Sequence, residues 1–160
     1  MPNFTRIAEG LDVAPALAEI AGAPEYWIQL GGDSLLTIPL LDSARKRQLE
    51  VELPETWKLV DRLLHILAAD HGDHGGLCHA RIGLMPPGAG LPPHFDGIDG
   101  ITERRYQLAL KSEPGVTLTV GGEEKWPRPG EAWRIAASRT HSVRNGSEAD
   151  RITLLFDTRD

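Results

Sequence analysis

The sequence predicts a mainly β protein with supporting helices, arranged as a jelly roll. Strand-length runs of alternating apolar residues recur through the second half between Gly, Pro and Asn signals, and two more lie in the first half. So many short strands need a sandwich or closed barrel to bury their apolar faces. Only one stretch carries a long helical period, which places helices outside the strands.

Residues 4–22 mix Ala, Leu and Ile with acidic residues. Phe4, Ile7, Leu11 and Ala14 or Leu17 fall near helical spacing and Pro15 interrupts them, so two short helices are expected. Residues 26–30 and 35–41 read as strands joined in a hairpin by Gly31, Gly32 and Asp33. Residues 54–69 place Trp57, Val60, Leu63, Leu64 and Leu67 on one face, and Pro54 suits a first helical turn. Strands are then expected at 77–85, 90–94, 104–111, 116–120, 131–136, 141–144 and 151–157. Gly121 and Gly122 suit a hairpin end, and Gly130 a tight turn.

A chain of 160 residues is the size of one domain. An apolar content of 41% supplies a core and argues against disorder. The net charge of -6 argues against broad electrostatic binding to nucleic acid or an anionic membrane, leaving room for a local basic pocket. Cys78 is the single cysteine, so no intrachain disulfide and no four-cysteine zinc site can form, and a reducing compartment is expected. No leader pattern or long apolar run is present, and the reading is a cytoplasmic protein. The run Arg45, Lys46, Arg47 reads as a solvated face.

Chemistry concentrates in PPHFDG. His94 and Asp96 stand two apart, so on an extended strand both project from one side. His141, on a later strand, can add a second imidazole. Two histidines and one carboxylate form the facial triad that leaves positions of Fe(II) open. An isolated HxD is by itself more often a surface turn. Arg151 lies ten residues after His141 and opens the run RITLLFD, in which Ile152, Leu154 and Phe156 share one face and Arg151, Thr153 and Leu155 the other. An inward Arg requires an anion, whose fit to the guanidinium fork favours a carboxylate, whereas an outward one pairs with Glu148 or Asp150. A second HxD, His71 and Asp73 with His74 and His79 nearby, sits in a glycine-rich stretch and reads as a solvated loop or adventitious metal site. His65 reads as a helix-boundary residue, Cys78 as a small core residue, and the tryptophans mainly as core, with Trp133 nearest the site.

The stretches ARIGLMPPGAGLPPHFDG, RRYQLAL, GVTLTVGGEE, RPGEAWRI and HSVRNGSEADRITLLFD, within residues 80–157, resemble the aspartyl/asparaginyl β-hydroxylase branch of the Fe(II)- and 2-oxoglutarate-dependent dioxygenases. The resemblance implies a double-stranded β-helix, a cupin-like jelly roll with the metal near one open end. It implies that His94, Asp96 and His141 hold iron, that Arg151 binds the distal carboxylate of 2-oxoglutarate, and that Arg105 and Gln107 face the same cavity as cofactor-binding residues, with a substrate carboxylate as the alternative contact of Arg105. Some members carry His where this chain has Gln107, and the vertebrate members lack the carboxylate supplied here by Asp96. The expected organisation is one domain over 1–160, with helices and outer strands in 1–76 and the metal-binding core in 77–158. The expected activity is hydroxylation of an unactivated C–H bond in an amino-acid, peptidyl or small natural-product substrate, consuming O2 and releasing succinate and CO2. The alternatives are a noncatalytic cupin-like metal or ligand binder, which predicts a damaged triad, and a metal-dependent isomerase or hydrolase, which does not need Arg151.

Overall fold

The computed structural model describes residues 1–29 and 35–160. Its first sheet has seven strands. In chain order these are β1 (Phe4–Ala8), β2 (Ile28–Gln29), β3 (Leu36–Pro39), β4 (Gly76–Met85), β6 (Glu103–Lys111), β9 (Ala132–Ile135) and β11 (Arg151–Arg159). The second sheet has β5 (Gly90–His94), β7 (Val116–Val120), β8 (Glu123–Lys125) and β10 (His141–Asn145). The spatial orders are β1-β9-β6-β11-β4-β3-β2 and β5-β10-β7-β8, with antiparallel pairing throughout. Two antiparallel sheets packed face to face make the jelly roll that the strand count predicts.

The large sheet borders two cores. Ala80, Ile82, Tyr106, Leu108, Leu154 and Phe156 face outward and join a cluster with the helices α1 (Ala14–Ala21) and α2 (Pro54–His71). From α2 this cluster takes Trp57, Val60, Leu63 and Leu67, the apolar stripe read from the sequence. A fully buried Leu, Ile or Val contributes about 1.5–3 kcal/mol relative to exposure, so this layer dominates the stability. The α2 N-terminus is held by Glu19 of α1, which accepts from Glu55 N at 2.5 Å, Thr56 N at 2.9 Å and Thr56 Oγ1 at 3.1 Å. An anion there satisfies donors that the helix cannot. A second cluster, with Leu118, Val120, Ile135 and Met85, fills the space between the sheets.

The expected helix at the start of the chain is instead the edge strand β1, with Phe4 paired to Ile135. Phe4 belongs to the inner cluster and Ile7 to the outer one. A spacing of three places them on opposite faces of a strand, and both faces are apolar here, so the pattern imitates a helix. β8 lacks the apolar alternation that sequence reading requires, being Glu-Glu-Lys. Ile28 pairs with Thr37 and Gln29 with Leu36, as the hairpin reading requires, while its turn residues Gly31, Gly32 and Asp33 lie outside the described residues. No helix among the described residues is long and apolar enough to cross a membrane.

Gly72 closes α2 with φ 67°, a conformation that glycine adopts freely, and Asp73 N–H donates to Leu67 O at 3.0 Å. That turn drives Asp73 inward. Its carboxylate accepts from Arg104 Nη2 at 2.7 Å and Nε at 3.0 Å, and from Tyr106 OH and Thr158 Oγ1, each at 2.6 Å. The stretch read as a solvated loop is therefore the anchor tying α2 to β6 and β11.

Candidate metal centre

β5 ends on His94 and β10 begins on His141, and the two residues are register partners. Adjacent strands thus bring the rings to 4.3 Å between centroids, with 58° between their planes. Pro92 and Pro93 impose an extended approach to His94. His94 Nδ1 lies 2.8 Å from Pro92 O and His141 Nδ1 lies 2.8 Å from Arg139 O. A carbonyl oxygen only accepts, so each Nδ1 carries a proton, which leaves Nε2 as the ligand atom of each ring. Asp96 N–H donates to Ala137 O at 3.2 Å, which carries the carboxylate back toward the histidines. Asp96 Oδ2 comes within 3.0 Å of His141 Nε2. A lone pair and a carboxylate oxygen this close require a cation, either a proton or a metal ion, so the donor set fits a divalent metal. One potential ligand atom from each of His94, Asp96 and His141 lies within 4.8 Å of the others, and no further such group is found among the described residues.

Arg105 projects from β6 into the same space. Its Nε and Nη2 donate to the two oxygens of Asp157, both at 2.8 Å, while Nη1 donates to Asp96 Oδ2 at 2.5 Å. Burial works against this guanidinium's charge, but the hydrogen bond and charge of Asp157, joined by the charge of Asp96, outweigh it and raise the pKa. The side chain expected to touch a ligand is therefore engaged as a brace, from buried Asp157 through Arg105 to Asp96. Asp157→Asn, which removes the charge at the base of the brace, is expected to weaken metal binding about 10- to 100-fold. Mn(II) titration against the wild type measures it.

Arg151 lines a cavity of about 770 Å³ counted out to its open mouth, together with the triad, Arg105 and Gln107. Its Nη2 donates to Gln107 Oε1 at 3.2 Å, and no carboxylate pairs with it among the described residues. The alternative surface pairs with Glu148 or Asp150 do not form. Burial, with the charge of Arg81 added, pulls its pKa down to about 10. It stays protonated and short of an anion. Two residues along the same strand face, Thr153 Oγ1 is buried without a partner among the described residues. A guanidinium beside an unused hydroxyl fits the carboxylate of a cosubstrate.

Sequence reading put Thr153 on the Arg151 face without giving it a role and overlooked Asp157 and Arg81, although the alternation in RITLLFD and in ARIGLM places both on inward faces. Trp133 packs edge-on against Phe4 at 6.2 Å and is not among the cavity-lining residues. His65 is exposed rather than at a boundary. Cys78 is partly buried, and burial followed by the charge of Glu103 raises its pKa, consistent with an inert thiol.

Fold and site together define a double-stranded β-helix carrying two histidines and one carboxylate inside its barrel. The aspartyl/asparaginyl β-hydroxylase family model matches residues 36–160, and the chain belongs to that family. No curated protein matches it by sequence. Among solved structures, the non-heme α-ketoglutarate-dependent epimerase SnoN from nogalamycin biosynthesis superposes with TM-score 0.72 at 16% identity, covering 99% of this chain and 78% of that one. The viral collagen prolyl hydroxylase of Paramecium bursaria Chlorella virus-1, in its 2OG complex, gives TM-score 0.66 at 12% identity, covering 99% and 97%. A 2OG-Fe(II) oxygenase-family oxidoreductase from Burkholderia pseudomallei gives 0.61 at 18%, covering 92% and 79%.

Proposed function

We propose that this protein is an Fe(II)- and 2-oxoglutarate-dependent dioxygenase that hydroxylates an unactivated C–H bond of an amino-acid, peptidyl or small natural-product substrate. The observation that carries the reading is the convergence of His94, Asp96 and His141 in one cavity with Arg151, whose described hydrogen-bond partner is a neutral amide. Bound Fe(II) with 2-oxoglutarate supplies the activation of O2 that side chains cannot perform, and the balance is substrate, O2 and 2-oxoglutarate to hydroxylated substrate, succinate and CO2. The chain's own residues do the positioning. Pro92 O and Arg139 O aim the imidazoles, Arg105 braces Asp96, Gln107 orients Arg151, and Arg151 with Thr153 anchors the distal carboxylate. The sheet packing keeps the inner end of the cavity dry.

Anaerobic addition of Fe(II) and then 2-oxoglutarate tests the reading by the visible absorption of the chelate, followed by succinate release on admitting O2. Hydroxylation then appears as a product mass increased by one oxygen. Arg151→Met is expected to weaken 2-oxoglutarate roughly 30-fold or more, as truncating one partner of a buried ion pair does, with Mn(II) affinity unchanged. A wild-type protein that binds Fe(II) without forming the chelate overturns the proposal.

A further inference from the structure

Two ligands of the triad hang on one turn. Residues 136–140 leave β9 and lead into His141 at the head of β10. Ala137 O accepts from Asp96 N–H at 3.2 Å and Arg139 O from His141 Nδ1 at 2.8 Å. The placement of these two carbonyls therefore decides where the carboxylate and the second imidazole point. Ala136 and Ala137 are buried, but Ser138, Arg139 and Thr140 are exposed, so packing does little to hold that part of the turn. An exposed turn moves unless hydrogen bonds fix it.

Asn3 supplies such bonds at both ends of the turn. Its main-chain carbonyl accepts from Ala136 N–H at 3.0 Å, continuing the β1–β9 ladder past the pair Phe4 and Ile135. Its Oδ1 accepts from Arg139 Nη1 at 2.6 Å, and its Nδ2 donates to Glu123 Oε2 on β8 at 3.2 Å. One neutral amide thus links a cation to an anion, and hydrogen bonds to charged groups are the stronger kind. The hairpin joining β7 to β8 is fitted around the same amide. Gly121 there has φ 55°, its N–H donates to Thr140 O at 2.8 Å, and an added Cβ would run into Asn3 Oδ1. Phe4, buried in the inner cluster, anchors Asn3 from the next position of the chain.

We propose that Asn3 is a positioning residue of the metal centre, acting through Arg139 on the turn that aims His141 and Asp96. The inference rests on the dioxygenase reading, in which the triad holds the metal, and adds a residue that lies outside the cavity. His94 stands apart from this device, because Pro92 O on β5 holds its Nδ1. Loss of the Asn3 side chain therefore loosens two ligands and leaves the third in place, which weakens the site without abolishing it.

The test measures Mn(II) affinity of the full chain by equilibrium dialysis, beside the melting temperature of the metal-free protein. Asn3→Ala keeps the main-chain bond to Ala136 and is expected to fold with the circular dichroism spectrum of the wild type. It is expected to bind Mn(II) about three- to tenfold more weakly, the worth of one hydrogen bond, with a changed Mn(II) electron paramagnetic resonance line shape as the ligand geometry relaxes. Arg139→Ala is expected to cause a similar loss, and the two substitutions together no more than either alone, because both cut the same link. Asn3→Asp combined with Glu123→Gln exchanges donor and acceptor between those two side chains, keeps an oxygen for Arg139, and is expected to restore wild-type affinity. Three results overturn the inference: Mn(II) affinity unchanged in Asn3→Ala whatever the melting temperature does, losses that add in the combination with Arg139→Ala, or no restoration by the exchanged pair. Failure of the wild type itself to bind Mn(II) overturns the metal-centre reading and this inference with it.

Discussion

His94→Ala and Asp96→Ala are each expected to cost roughly a hundredfold or more in metal affinity, beyond the range for an outer-shell partner, with loss of turnover. The reason is geometric. The site offers two imidazole nitrogens and one carboxylate, and the carbonyls of Pro92 and Arg139 already hold both Nδ1 protons, so neither ring can swing to replace a missing donor. Equilibrium dialysis against Mn(II) measures the loss, and an unchanged circular dichroism spectrum shows that the fold survives. His94 sits at a strand end and is only partly buried, so its truncation leaves both cores untouched. The control is His71→Ala together with His74→Ala. Those imidazoles belong to and adjoin the other HxD, and their removal is expected to leave Mn(II) affinity unchanged. Equal losses from the two pairs would mean that the metal binds elsewhere.

The two HxD motifs show how far the sequence alone discriminates. Both have identical spacing, and the glycine-rich setting of the second, which reads as a solvated loop, misjudges its buried Asp73. They differ in what lies opposite: His94 ends β5 beside β10, which delivers His141, whereas His71 ends α2 and Asp73 turns into a nest of Arg104, Tyr106 and Thr158. Partners 31 and 85 residues away in sequence decide that outcome. The two faces of β11 and β6 were legible because an alternation of two, with one face apolar, has only one consistent register. Alternation alone left open whether Arg151 points inward or outward, and the family resemblance pointed it, Gln107 and Arg105 into the cavity that all three line. The engagement of Arg105 was not legible, since it depends on Asp157 sitting across the sheet from it, at a register fixed by a bulge between Ile152 and Thr153. β1 was misread for a related reason: a strand apolar on both faces carries no period of two.

Asp73→Ala is expected to destabilise the fold by about 3–5 kcal/mol, which for a chain of this size lowers the melting temperature by roughly 6–20 °C. The carboxylate side chain is 4% exposed and its partner Arg104 9%. Truncation strands a buried guanidinium edge and two hydroxyls that share one oxygen. Arg104 keeps Asp160 at 2.8 Å and the carbonyl of Ile101, so the loss is of the inner half of its contacts. Adding Arg104→Met to Asp73→Ala is expected to recover part of the stability, because the charge that was left unpaired is then gone; a fully additive second loss would refute the coupling. The same carboxyl sets an acid limit. Burial pushes its pKa up, but the hydrogen bonds from Arg104, Thr158 and Tyr106 prevail and hold it well below the usual carboxylate range. A depressed folded-state value gives stability that is complete above the unfolded value near 4 and drains away as pH falls below it, so the acid-unfolding midpoint of Asp73→Ala loses this component. The consequence reaches the metal centre through one peptide unit. Arg104 points outward to Asp73 and Arg105, its neighbour on β6, points inward to Asp157 and Asp96. Fixing the first fixes the strand that aims the second, and destabilisation at the helix end is therefore expected to weaken Mn(II) binding before the barrel unfolds.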